Sequence, residues 1–332
     1  MKTEGALYRA FEERRAHLEA WGREVVRLVS LHFEGVESIV GTPFWAVPPE
    51  SRAKATDSFV TKALYKPRKG RVGYEDPLRE ITDQVGARFV TLLQEDADKV
   101  VAYIESHEGW ASQSDRNFRV AIHENPTVFD YFATHILVRT KTDIVIGGVE
   151  VPSGTCCEIQ VRTLLQHAHS ELMHNTTYKG QLGKNVDVVR KVARGAAMIE
   201  GTDEIFDTVA ERILEATKPV EELSAGLKDL YEQHVKVPPS IGPLHRLMIY
   251  SLVEDLPPTD GLESVENHFE QHPNLFRVVE KRAPDTPYFK APAVLLAIYL
   301  IERRQRHLRS KWPLTESELD QLIASVGYSP GL

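Results

Sequence analysis

The chain has 332 residues, 42% of them hydrophobic and 27% charged, with a formal net charge of −8. That length allows one large domain or two of medium size, and the balance is that of a globular chain in water. Net acidity excludes general coating of nucleic acid, which rests on a basic surface, and the longest strongly apolar run, Ala293 to Ile301, is far short of the roughly 20 residues a bilayer demands.

No membrane partner is therefore expected, and the charges at Lys2, Glu4 and Arg9, where a secretory leader has its apolar segment, make the cytoplasm the expected location. Cys156 and Cys157 are the only cysteines. Neighbours on a strand point to opposite faces, so neither a disulfide framework nor a zinc site can be built from them.

From Leu7 to Phe33 the apolar residues Leu7, Phe11, Leu18, Trp21, Val25, Leu28 and Val29 recur near helical spacing and predict an amphipathic helix that packs at a domain edge or an oligomer contact. Three prolines between Thr42 and Glu50 predict an extended connection. Ser51 to Arg71 then holds seven Lys or Arg residues against one acid, Asp57, a local field for polyanions in an acidic protein. Asp57 or Ser58 is placed to cap a helix running toward Tyr65, on which Ser58 and Lys62 face the same way. A hydroxyl, helix-terminal amides and an ammonium near one point suit a phosphate; the plainer reading is a solvated basic face.

Asp76 to Leu93 reads as a short helix opened by Pro77 that gives way to a buried strand, with Asp83 at the junction as a cap or a ligand. Gly86 permits a close backbone approach, and Arg88 follows it. Glu95 to His107 is an amphipathic helix, a weak strand is expected near Phe118 to Ile122, and a clearer one runs from Tyr131 to Lys141 with Tyr131 and His135 on one face. A short strand from Ile144 to Val151 contains Gly147 and Gly148, and the turn at Pro152 leads into the next strand in antiparallel order. That strand carries Glu158, Gln160 and Arg162 on one face and Cys157, Ile159 and Val161 on the other. It runs directly into a helix with His167, Glu171, His174 and Tyr178 on a polar stripe, and with Leu164, Leu165, Ala168 and Leu172 available to face inward. Beyond Lys179 the pattern is helical: Val186 to Ile199, then Asp203 to His234 interrupted at Pro219. A linker is expected at Val235 to Pro243, and a capping box at Thr315 to Glu318 opens the last helix.

Taken in order, the chain presents Arg52, Lys54, Ser58 and Lys62; Asp83, Gly86 and Arg88; Tyr131 and His135; Glu158, Gln160, Arg162 and Thr163; and His174, Tyr178 and Lys179. Any one of these patterns is weak. Together they resemble the synthetase domain of the RelA/SpoT family, enzymes that transfer pyrophosphate from ATP to the 3′-hydroxyl of a guanine nucleotide. The resemblance spans about Arg52 to Lys179, with flanking helices as in the small single-domain synthetases. No His-Asp pair followed by Glu-Asp, the mark of the hydrolase domain in long members, occurs.

The resemblance implies an α+β fold: a mixed five-stranded sheet flanked by helices, nucleotidyltransferase-like, with a helical C-terminal extension. It divides the chain into an N-terminal helical segment (1–44), a synthetase domain (45–200) and a helical region (201–332). It implies that Arg52, Lys54, Ser58, Lys62 and Arg88 hold ATP, and that Asp83 and Glu158 are the catalytic pair and the ligands of Mg²⁺. Tyr131, His135, Gln160 and His167 would face the acceptor, with Arg162, His174, Tyr178 and Lys179 in support. Phosphoryl-type transfer asks mainly for positioning and charge neutralisation, and Mg²⁺ needs only one or two carboxylates.

Asp130 stands where the family has Gly, and fewer cations precede Tyr131 than the family carries, so the acceptor stays open. GDP or GTP, an adenosine nucleotide and the tRNA 3′ end are the options, the last two as in the toxic small-synthetase branch. A basic stretch from Arg303 to Lys311 is a solvated face or a tRNA contact. A third reading is a catalytically inactive nucleotide-binding module. A transition-metal site at His167, His169 and His174 is disfavoured because the zincin order is broken. A homo-oligomer and the role of the C-terminal region stay open as well.

Overall fold

A computed structural model gives the architecture and describes residues 3–39, 41–65, 67–68, 71–72, 74–116, 133–176 and 185–329. The chain divides into two compact units, Met1–Glu211 and Arg212–Leu332. In chain order the first unit holds α1 (Glu4–His32), β1 (Trp45–Ala53), α2 (Thr56–Tyr65), the short strands β2 (Pro67–Arg68) and β3 (Arg71–Val72), α3 (Pro77–Glu80), β4 (Val85–Thr91), α4 (Gln94–Ser106), β5 (Trp110–Arg116), β6 (Thr134–Thr140), β7 (Ile144–Ile146), β8 (Val149–Val151), β9 (Cys156–Thr163), α5 (Leu164–Thr176) and the first half of α6 (Val186–His234). Its main sheet has five strands in the order β1-β4-β9-β6-β5. The central β4 and β9 are parallel, and the other pairs are antiparallel.

Strand alternation gives this sheet one dry face and one polar face. Val85, Ala87 and Phe89 of β4, Ile136 and Val138 of β6, and Cys157, Ile159 and Val161 of β9 share one core with Leu7, Phe11, Leu18, Trp21, Val25 and Val29 of α1, Phe59 and Val60 of α2, and Val100 and Ile104 of α4. Each large side chain buried there contributes about 1.5–3 kcal/mol. Helix α1 lies close on the sheet at Gly22, where an added methyl would stand 2.7 Å from a methyl of Val85. The predicted amphipathic stripe is thus a core stripe.

Several local expectations change. Ile144 to Val151 is not one strand but the hairpin β7–β8, because Gly147 and Gly148 have φ of 56° and 83°, the left-handed pair of a two-residue turn. The weak strand expected at Phe118 to Ile122 lies outside the described residues. Among the described residues one sheet edge is β5, too polar beyond its buried Trp110 to show an apolar pattern. Helix α6 runs unbroken for 49 residues through Pro219. The carbonyl that loses its partner is on a solvated surface, which lets a helix tolerate proline. The Thr217 hydroxyl just before it donates to the Ile213 carbonyl at 2.9 Å.

The second unit is all helical: the rest of α6, α7 (Pro243–Val253), a 3₁₀ turn (Pro258–Asp260), α8 (Leu262–Gln271), α9 (Asn274–Arg282), α10 (Pro287–Lys290), α11 (Ala293–Arg303), α12 (Gln305–Lys311) and α13 (Glu316–Ser325). Every residue of the apolar run Ala293 to Ile301 is buried, so α11 is its central helix. The proline-rich run after His234 joins α6 to α7 within this unit, with Val235 in its core, and is not a free linker. Thr315 and Glu318 form the predicted capping box.

Candidate active site

The polar face of the sheet is organised by register. Arg52 pairs with Gly86, Gly86 with Glu158 and Glu158 with Leu137, while one step along Glu50, Arg88, Gln160 and His135 form a second lateral row. Residues in register on neighbouring strands share a face. Four separate patterns in the sequence, one from each of β1, β4, β9 and β6, thereby meet on one rigid surface.

At one end of this surface the turn between α3 and β4 presents Asp83. The turn is braced by Gln84, whose side-chain amide donates to the carbonyls of Leu78 at 2.8 Å and Ile81 at 2.7 Å, and by the Lys54 amide on the Gln84 carbonyl at 2.8 Å. Lys54 Nζ stands 2.9 Å from Asp83 Oδ2, and Lys62 Nζ stands 2.7 Å from Oδ1. Burial pushes the Asp83 carboxyl up, but the two ammonium groups outweigh it and hold it below its ordinary range. Asp83 is therefore no helix cap. Neither Asp57 nor Ser58 is a cap either: α2 begins at Thr56, which places Ser58, exposed, in its first turn one turn before Lys62.

Beside it on β9, Glu158 Oε1 lies 3.1 Å from His135 Nδ1 and accepts from Gln160 Nε2 at 3.3 Å. Burial raises the Glu158 carboxyl, the hydrogen bond and charge of His135 outweigh that, and Asp83 opposes them, with a net lowering. Gln160 in turn accepts from the buried Arg162. Arg88 is bound by Glu50, and its other nitrogen is 3.5 Å from Glu171 of α5. His167 Nδ1 lies 3.9 Å from Glu171, and burial with the cations Arg88 and Arg162 depresses its pKa.

The structure thus brings together Lys54, Lys62 and Asp83; Glu158, His135, Gln160 and Arg162; and Arg88 with His167 through Glu171. Arg52 is exposed on β1, in register with Gly86. The backbone of His174 lies in α5, while Tyr131, Tyr178 and Lys179 lie outside the described residues. Gly86 is not there for close packing, since an added methyl would meet only the Glu158 carbonyl oxygen, at 3.6 Å.

Three contributors escape a reading of the sequence. Glu50 shares its strand parity with Arg52, which was a usable signal. Asp203 and Asp207 of α6 carry none. Asp207 accepts from the first amides of α4, at 3.1 Å from Gln94 and 3.4 Å from Glu95, supplying the anion a helix start favours. Asp203 Oδ2 accepts from Thr163 at 2.9 Å and Gln166 at 3.2 Å, pinning the β9–α5 junction. This polar anchor also corrects the expected inward apolar stripe of α5: Gln166 is buried, while Leu164 and Leu172 are exposed.

Asp83 and Glu158 offer hard oxygen donors, and the Asp83 charge reaches Glu158, pushing its carboxyl up; a donor set of this kind fits Mg²⁺. Both Asp83 oxygens already face ammonium groups, so a cation entering there displaces lysines that a polyphosphate would receive. Among the described residues no helix is long and apolar enough to cross a membrane. In the second unit the basic stretch is largely self-neutralised: Arg304 binds Asp260, Arg309 reaches Asp320 at 3.4 Å, and Lys311 reaches Asp255 at 2.9 Å.

The small alarmone synthetase 1 from Bacillus subtilis is similar at 17% identity and a TM-score of 0.47, over 62% of this chain and 98% of its own. The small alarmone synthetase 2 from the same organism gives 17%, 0.46, 60% and 99%, and a GTP pyrophosphokinase family protein from Streptococcus pneumoniae gives 18%, 0.45, 63% and 92%. No curated protein matches the chain. Residues 51–183 match the family model described as the region found in RelA / SpoT proteins.

Proposed function

We propose that this chain transfers the β,γ-pyrophosphate of ATP to the 3′-hydroxyl of a guanine nucleotide, GDP or GTP. The observation that carries the reading is the juxtaposition of a lysine-held carboxylate, Asp83, with a second ionised carboxylate, Glu158, on the polar face of a RelA/SpoT domain.

In this reading Lys54 and Lys62 exchange Asp83 for the phosphates of ATP, with the hydroxyl and first-turn amides at Ser58 beside them, and Arg52 and Arg88 complete the cationic wall. His135 and Gln160 hold Glu158 in place toward the acceptor side, to which the family resemblance also assigns His167 and Tyr131. The acceptor 3′-oxygen attacks the β-phosphorus, the bond from that phosphorus to the α,β-bridging oxygen breaks, and AMP leaves. Glu158 takes the hydroxyl proton. Asp83 and Glu158 would hold Mg²⁺, which would supply charge neutralisation. Neutral His167 can donate or accept a hydrogen bond without adding charge.

The sequence before Tyr131 supports a second reading, in which Asp130 and the scarcity of cations suit an acceptor such as an adenosine nucleotide or the tRNA 3′ end. Pyrophosphate transfer from labelled ATP, with GDP, GTP, ATP and deacylated tRNA offered in parallel, tests both. Preferential labelling of GDP or GTP is the expected result. Labelling of ATP or tRNA alone would move the conclusion to the second reading, and nucleotide binding with no labelling of any acceptor would leave an inactive module.

A further inference from the structure

Helices α8 and α11 of the second unit end side by side, and their last turns gather two imidazoles and a carboxylate. His268 lies on α8, His272 caps its C-terminus, and Glu302 lies on the final turn of α11. One donor atom from each falls within 4.8 Å of the others, and His268 Nδ1 is 3.4 Å from Glu302 Oε2. We propose that His268, His272 and Glu302 bind a divalent transition metal of borderline softness, zinc above all, with the remaining position open to water or an external ligand.

The chemistry of the donors carries this. Two imidazoles and a carboxylate are a ligand set for zinc, with bonds of about 2.0–2.2 Å that place tetrahedral ligands some 3.3 Å apart. His268 is fixed, 6% exposed, between the edges of Phe269 and Tyr299. His272 and Glu302 are exposed, so their rotation closes the remaining gap without disturbing the core. Two helix C-termini, each the negative end of its dipole, favour a cation at this point. The charge of Arg303, the residue after Glu302, opposes it. A bound ion would link α8 to α11, the central helix of the unit.

The test is titration of the full chain, stripped with chelator, with ZnCl₂ by calorimetry, and with Co²⁺ by visible absorption. One equivalent of zinc should bind, raise the melting temperature and displace cobalt. His272→Ala and Glu302→Gln, both at exposed positions, should each weaken binding at least tenfold while melting like wild type without metal. Absence of zinc binding by wild type, or binding unchanged in both His272→Ala and Glu302→Gln, overturns the proposal. Because the readout is metal affinity, it is independent of any transferase activity.

Discussion

Replacing Glu158 by Gln tests the proposed chemistry at its centre. The amide keeps the size of the side chain and an oxygen that can accept from His135 and Gln160, now at 3.1 and 3.3 Å, but it cannot take a proton. A positioned general base contributes about 10²–10⁴-fold, or about 3–5 kcal/mol of barrier, so transfer from labelled ATP should fall by that factor or more while ATP binding is kept. The wild-type pH profile offers a second check. Because Glu158 is net depressed below its ordinary 4.5, it is ionised throughout the neutral range, and its acid limb should lie below that value. The stability it contributes is present above about pH 4.5 and is lost as pH falls through its lower folded pKa, so the Gln variant should approach wild-type stability in strong acid. Unchanged turnover in Glu158→Gln would remove Glu158 from the mechanism. An acid limb near pH 6 would show that another group controls it.

Two further outcomes are expected. At Gly86 a Cβ meets nothing closer than 3.6 Å, so Gly86→Ala should fold and melt like wild type, while the larger Gly86→Leu, in register between Arg52 and Glu158, should cut transfer about 10²-fold by displacing substrate; equal activity in Gly86→Leu would show that the substrate does not cross that row. Asp203, 4% exposed, is pushed by burial from 3.8 to about 6, so between about pH 4 and pH 6 the folded chain holds its proton more tightly and stability falls as pH rises. At pH 7 the buried anion is a net cost, and Asp203→Asn should stabilise the protein there by about 1–2 kcal/mol after allowing for solvent screening, with the gain vanishing below about pH 4. A gain of the same size at pH 3.5 and pH 7 in denaturant titrations would contradict this.

What could be read from sequence follows from what each signal depends on. Alternation on β9 and periodicity on α1 report which side faces water, a local property, and both were legible. Asp83 was legible as a junction residue, but its grip by Lys54 and Lys62 depends on a turn and two other elements, and no spacing encodes that. Helix α5 misled because Leu164 and Leu172 share a helical face that contributes little burial here; Gln166, Thr163 and Asp203 fix the helix through long-range hydrogen bonds. The convergence of His268, His272 and Glu302 required the packing of α8 against α11, which no local spacing encodes.

The charges of the site share one arrangement. Asp83 lies between two lysines, Arg88 between Glu50 and Glu171, and Glu158 against His135. A half-buried cation without a partner costs desolvation energy, which limits how many can wait for a polyphosphate. Pairing each with an internal acid removes most of that cost and keeps the side chains near their working positions. On the proposed function, nucleotide binding would be an exchange of partners. Its affinity would reflect the difference between phosphate and carboxylate as acceptors for Lys54 and Lys62, and the released Asp83 carboxylate would become available to a divalent cation in the same step. The two lysines and Asp83 therefore act as one unit, and the effects of substituting them singly should not add.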